Sequence, residues 1–197
     1  MAIGAAGLLA LALLWLAAAS VGFPPDADVL LLVYLSGVLC AGEVMLAPEP
    51  RLPTGITHRA PGWAGPAAAT GSGLLVLQIA AVVWREPRWP GLLTILGAAL
   101  MILGGHLRLW AIHALGESFR TEHEVHAGQE LVRTGPYAFA RHPSEIGLLA
   151  FALGTAVLAH SWVAAAVWAS FLLPTSVLRV RREEALLRAA FGPRYTA

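Results

Sequence analysis

Two stretches concentrate the side chains able to do chemistry. The first is Gln129-Glu130-Leu131-Val132-Arg133-Thr134-Gly135-Pro136-Tyr137-Ala138-Phe139-Ala140-Arg141-His142-Pro143. Gly135-Pro136 forces a turn, and Arg141 and His142 then stand just ahead of Pro143, a residue suited to the first turn of a helix. A helix start offers free backbone N–H groups and a positive dipole end, so this point favours a carboxylate or another anion. The second stretch, Arg179-Val180-Arg181-Arg182-Glu183-Glu184-Ala185-Leu186-Leu187-Arg188, is amphipathic and is ended by Phe191-Gly192-Pro193. Arg179 with Glu183, and Glu184 with Arg188, have the spacing of helical ion pairs. A juxtamembrane loop and a solvated interfacial helix would use the same residue types without chemistry.

Weaker candidates lie elsewhere. In Glu122-His123-Glu124-Val125-His126 the two histidines would share a helical face and, with Glu122, could approach a metal. A polar interfacial loop accounts for them equally, and no metal is assigned. His106, Arg108 and His113 fall inside an apolar segment, where ionisable groups usually face a bundle interior or a wet cavity. His106 and His113 are seven apart and share a face, so the three could line a pocket together, although Arg108 could instead snorkel to the interface. Nucleotide and hydrolase signatures are missing: Gly71-Ser72-Gly73 opens an apolar helix, and no P-loop, HExxH or GxSxG occurs. All 13 basic residues are arginine, which removes Schiff-base chemistry.

The elements that must position these residues are membrane segments. Hydrophobic residues make up 57% of the chain and charged ones 13%, against roughly 25% charged in soluble domains. A mean hydropathy of +0.68 agrees, and the net charge of +1 gives no electrostatic case for nucleic acid. Cys40, the single cysteine, lies in an apolar segment and is expected to pack rather than react. Six apolar stretches can be drawn: about 3–22, 29–47, 67–84, 91–115, 146–159 and 162–178. The first is expected to be a retained membrane helix, because no basic residue precedes it as in a signal peptide. Residues 48–66 read as a proline- and glycine-rich loop. The last two stretches, separated by His160-Ser161, form a helical hairpin. With about 20 residues needed per crossing, five to six spans are expected in an all-α integral membrane protein. The chain is read as one membrane domain over 1–197, with four N-terminal helices in 1–115 and the chemistry in 116–197. If all six stretches cross, the polar loop and the tail share one side, and their arginines make it cytoplasmic. Arg85 and Arg88 then face outward against that rule.

The two stretches together resemble the isoprenylcysteine carboxyl methyltransferase family and its relatives among membrane phospholipid methyltransferases. The resemblance rests on Leu131-Val132, Gly135-Pro136-Tyr137, Arg141-His142-Pro143 and Gly147, followed after the hairpin by Arg179, Glu183-Glu184, Leu187, Phe191-Gly192 and Tyr195. It implies an S-adenosylmethionine-dependent methyltransferase without a Rossmann domain, its cofactor enclosed between loop, hairpin and tail, and a lipophilic acceptor drawn from the membrane. Cofactor-binding positions would be Gln129, Leu131, Val132, Gly135, Tyr137, Arg141, His142, Pro143, Glu183 and Glu184. Arg179, Arg182, Glu183 and Glu145 would serve the transfer. Gln129 stands where the family has histidine, with His126 nearby as a stand-in, and Glu145 stands where it has tyrosine. Glu145 is four residues after Arg141 and could pair with it. The lysine-free, alanine- and arginine-rich usage is that of a GC-rich bacterial genome, where a prenylated protein acceptor is not expected. Two other readings stay open. One is an NADPH-dependent reductase of the sterol-reductase type, and the other is a non-enzymatic membrane protein that kept the fold.

Overall fold

A computed structural model describes residues 27–46, 56–59, 64–86, 91–116, 124–126, 131–192 and 195. The first apolar stretch and Gln129 lie outside them. Helix α1 (Ala27–Leu46) begins with Asp28 in its first turn, where a carboxylate offsets the helix dipole. Helices α2 (Ala64–Val83) and α3 (Leu92–Leu115) follow, then α4 (Pro143–Leu158). The remainder is α5 (Trp162–Val167), a π-helical turn (Trp168–Leu172) and α6 (Leu173–Phe191). Ala27–Leu46, Leu92–Leu115 and the continuous Trp162–Phe191 are long and apolar enough to cross a membrane. Ala68–Val83 and Pro143–Leu158 are apolar but shorter.

One expectation needs correction. The loops around 48–66 and 116–143 are not wholly irregular. Strand β1 (Ile56–Arg59) pairs antiparallel with β2 (Glu124–His126), joining the two loops by a short ribbon, with an irregularity between Ile56 and His58. The amphipathic tail, for its part, is not set apart from the segment before it. It continues from the last membrane helix as one rod of 30 residues, about 45 Å long at 1.5 Å per residue. A hydrocarbon core of about 30 Å cannot contain that length, so the charged end projects beyond it. Pro174 explains the π turn. It has no N–H to return and crowds the preceding turn, and the helix adapts by bonding Leu173 N–H to the Trp168 carbonyl.

Helices α3 and α4 make the closest contact of the bundle. At Gly104 an added Cβ would lie 2.6 Å from Phe151 N; at Gly147, 2.6 Å from Gly104 O and 2.7 Å from Arg108 N. One rung along, Gly154 stands in the same relation to Gly97 O, at 2.7 Å. Backbone therefore meets backbone, as small residues permit between membrane helices. The hairpin turn is fixed from two sides. Thr94 Oγ1 and His160 Nε2 share a hydrogen bond of 3.1 Å, and Ser161 Oγ donates to Ala80 O at 3.2 Å while accepting from Ala164 N–H. Gln78 donates to Ser36 Oγ at 3.1 Å, joining α2 to α1 in the buried core.

Gly147→Ala pushes a methyl into the α3 backbone. It should cost about 1–3 kcal/mol of stability, the usual range for overpacking, whereas Gly71→Ala, with open space around it, should be neutral or slightly stabilising. Denaturant or thermal unfolding of the two variants in detergent measures the contrast.

Candidate functional site

The site is assembled where the start of α4 meets the far end of α6. Ahead of α4, residues 131–133 form no regular element, Thr134 is extended and Gly135–Ala138 forms a 3₁₀ turn. Gly135 adopts φ +61° and lies against Trp110 and Ala114 of α3, a backbone shape that favours glycine. Pro136 and Pro143 are buried, and Pro143 opens α4 with His142 as its N-cap. The His142 side chain makes no capping bond to this helix start, so among the described residues its first-turn N–H groups suit an anion.

His142 and Glu184 make the central contact. His142 Nε2 lies 3.0 Å from Glu184 Oε1, and His142 Nδ1 lies 3.5 Å from Glu183 Oε2. The Tyr195 hydroxyl donates to the same Glu184 oxygen at 2.8 Å. Arg188 donates to Glu184 Oε2 at 2.5 Å, and Arg141 Nη1 approaches that oxygen at 3.7 Å with its guanidinium 5.5 Å from the Tyr195 ring centre. Glu184 thus gathers donors from three parts of the chain. Burial opposes protonation of His142, but its hydrogen bonds and charge interactions with Glu183 and Glu184 outweigh that and raise its pKa. Burial, with the negative charge of Glu183 second, pushes the Tyr137 phenol up, so it stays protonated at neutral pH and can donate but not act as a base.

One helical turn closer to the bundle, Arg179 Nη1 stands 3.8 Å from Glu145 Oε2, too far for a hydrogen bond. The expected Glu145–Arg141 pair is therefore replaced: Glu145 faces Arg179, and Arg141 turns to Glu184 and Tyr195. The Glu184–Arg188 pair forms as its spacing implied. Arg182 is exposed, and Leu131 and Val132 are half-buried.

Arg108 does not snorkel. It is half-buried and holds both oxygens of Glu43 on α1, with a further bond of 3.2 Å to Ser144 Oγ in the first turn of α4. His106 and His113 instead face outward and are exposed, so the pocket-lining expectation fails for both. Among the described residues no group of three metal-ligating side chains forms; His123 lies outside them. Tyr195, Glu43 and Ser144 join the candidate residues. Tyr195 was legible as part of the phenylalanine-glycine motif's ending, but nothing in the local sequence marks Glu43 or Ser144 as partners of Arg108.

Residues 96–189 match the family model for the isoprenylcysteine carboxyl methyltransferase (ICMT) family. That segment is ICMT-like. It contains α4, the hairpin and both members of the His142–Glu184 contact. Over 108 residues the chain is 36% identical to the protein-S-isoprenylcysteine O-methyltransferase of Saccharomyces cerevisiae, covering 53% of this chain and 44% of the yeast protein. It is 31% identical over 94 residues to the uncharacterized protein YpbQ of Bacillus subtilis, 47% of this chain and 56% of that one. The chain thus spans about half the length of these relatives. A solved structure of the eukaryotic intramembrane Ras methyltransferase ICMT shares the fold, with a TM-score of 0.55 over 94% of this chain and 69% of that one, at 20% identity. The helical-bundle fold follows from that likeness, and three helices of this bundle are long and apolar enough to cross a membrane.

The raised pKa of His142 sets a sign. Its docking contribution is fully present below its ordinary value of 6.5 and is lost as pH rises through the raised one. Thermal stability in detergent should therefore decline across that window, and His142→Gln should flatten the decline. An unchanged profile in the variant would remove His142 as the titrating group.

Proposed function

We propose that this chain transfers the methyl group of S-adenosylmethionine to a lipophilic acceptor at a membrane face. The His142–Glu184 contact carries the reading, because it joins two separated motifs of the ICMT-like segment into one polar cluster. The likeness to a named O-methyltransferase supports it.

The residues present fit this cofactor. Its amino-acid end carries an ammonium and a carboxylate, and the cluster offers both signs: Glu183 and Glu184 against Arg141, Arg188 and His142. Glu183 or Glu184 is the carboxylate we assign to the ammonium. Arg141 and the uncapped N–H groups at the start of α4 suit the carboxylate. Leu131, Val132 and the protonated Tyr137 would border the adenine, with Gly135 holding their turn against α3. Bound S-adenosylmethionine supplies a methyl group on a sulfonium, ready for in-line displacement. The chain's part is to align the acceptor and keep water out, and both follow from a site set against an apolar bundle.

The membrane face is assigned from charge. Arg141, Arg179, Arg181, Arg182 and Arg188 all stand at the end of the bundle where α4 starts and α6 finishes, which supports a cytoplasmic face, and the lysine-free, arginine-rich usage supports a bacterial inner membrane. The acceptor class is lipophilic. The yeast relative's isoprenylcysteine substrate is not carried over, because Glu145 changes what an acceptor meets.

Calorimetry on the detergent-solubilised protein tests the reading with S-adenosylmethionine and, separately, NADPH. Wild type should bind the first and not the second. Glu183→Ala or Glu184→Ala should abolish that binding in a protein that still unfolds cooperatively. Normal binding by both variants would mean that the site has been misplaced.

A further inference from the structure

The proposed methyl transfer leaves one group of buried polar atoms unused. Glu145 is only 8% exposed, yet its Oε1 has no hydrogen-bond partner among the described residues. Across from it on α6, Arg179 Nε and Ser176 Oγ are likewise buried without a partner. Ser176, Arg179 and Glu183 follow one another at i, i+3 and i+7, so they share one face of α6. The group therefore lies on the same face of α6 as Glu183, about one to two turns nearer the start of that helix.

Unsatisfied buried polar atoms are uncommon and each is costly, about 1–3 kcal/mol for a lost partner. Three of them, on two facing helices, mark a place that a polar group of a ligand completes. Its charge narrows the chemistry. Glu145 and Arg179 balance each other, so an anionic headgroup would gain Arg179 only by meeting the Glu145 carboxylate. A headgroup with a proton to give can donate to Glu145 Oε1 and accept from Arg179 Nε or Ser176 Oγ at the same time.

Resting on the methyltransferase reading, we infer that Glu145 accepts the proton of the nucleophile, and that the acceptor's reacting group is a thiol or hydroxyl rather than a free carboxylate. The thiol or hydroxyl proton passes to Glu145 Oε1 as the new bond from sulfur or oxygen to the methyl carbon forms. The carbon–sulfur bond of the sulfonium breaks in the same displacement, and its electron pair stays on that sulfur as a neutral thioether. Arg179 then holds the acceptor heteroatom in line. A carboxylate acceptor would need no base, and a buried carboxylate beside it would hinder its entry.

Dodecylphenol, dodecanethiol and dodecanoate offered to the detergent-solubilised protein test this, first as binding by calorimetry without cofactor, then as single-turnover methylation. Wild type should bind and methylate the phenol or the thiol in preference to dodecanoate. Glu145→Gln should keep its S-adenosylmethionine affinity yet lose about 10²–10⁴-fold in turnover of the preferred acceptor, together with the discrimination against dodecanoate. Glu145→Asp should recover part of the turnover. The inference is overturned if wild type prefers dodecanoate or binds none of the three. It is overturned equally if Glu145→Gln keeps full turnover, or loses the same factor on every acceptor. Failure of the wild type to bind S-adenosylmethionine would instead sink the methyltransferase reading beneath it.

Discussion

The contact of α3 with α4 through Gly104 and Gly147 is the constraint from which the rest of the site hangs. With backbone against backbone, the start of α4 has little freedom to slide or rotate relative to α3. Ser144 is thereby held within reach of Arg108, and the 3₁₀ turn that precedes α4 lies against Trp110. His142 inherits its position from that arrangement, and through His142 so does the end of α6. A larger residue at position 147 would act on the site without touching it.

Charges complete what the glycines begin. In an apolar bundle an ionised side chain is tolerated where another answers it. Arg108 answers Glu43 and thereby ties α1 to α3, while its second contact, with Ser144, adds α4. Glu184 answers several donors at once, and this closes the tail over the helix start. The two clusters differ in kind. That of Arg108 joins three helices of the bundle, whereas that of Glu184 sits at the end of a rod that outruns the hydrocarbon core. Only the second is placed to exchange a partner for a ligand from water.

Much of this was legible in the chain. The apolar stretches gave α1 to α4 within a few residues, because long hydrophobic runs have few alternatives in a membrane. His160-Ser161 was evident as a turn, since its neighbours are apolar on both sides. Local spacing misled where the partner lay on another helix. Arg141 and Glu145 have the right separation for a helical pair, but Arg141 precedes α4 and is drawn outward to Glu184, while Glu145 points inward to Arg179. Similarly, the seven-residue spacing of His106 and His113 correctly put them on one face, but period alone cannot tell a lipid-side face from an inner one. The β1–β2 ribbon joins segments more than 60 residues apart, and three or four residues carry no pattern strong enough to announce it.

Pro174 connects these observations to the acceptor. By forcing the π turn it adds a residue to the helix just before α6, and an added residue rotates everything after it by about 100° relative to an uninterrupted helix. Ser176, Arg179 and Glu183 therefore face α4 because of that turn. Without it the face presented to Glu145 and His142 would be a different one, and the charges of the tail would not register with those of the loop. The loose Arg179–Glu145 approach follows from the same geometry: the helices are held by contacts above and below it, at His142 and at the Trp168 indole, which donates to Leu149 O at 3.0 Å. The two charges are set near each other without being allowed to close. A pair kept open in this way retains donors and acceptors for a third group, as a closed ion pair at the same depth could not.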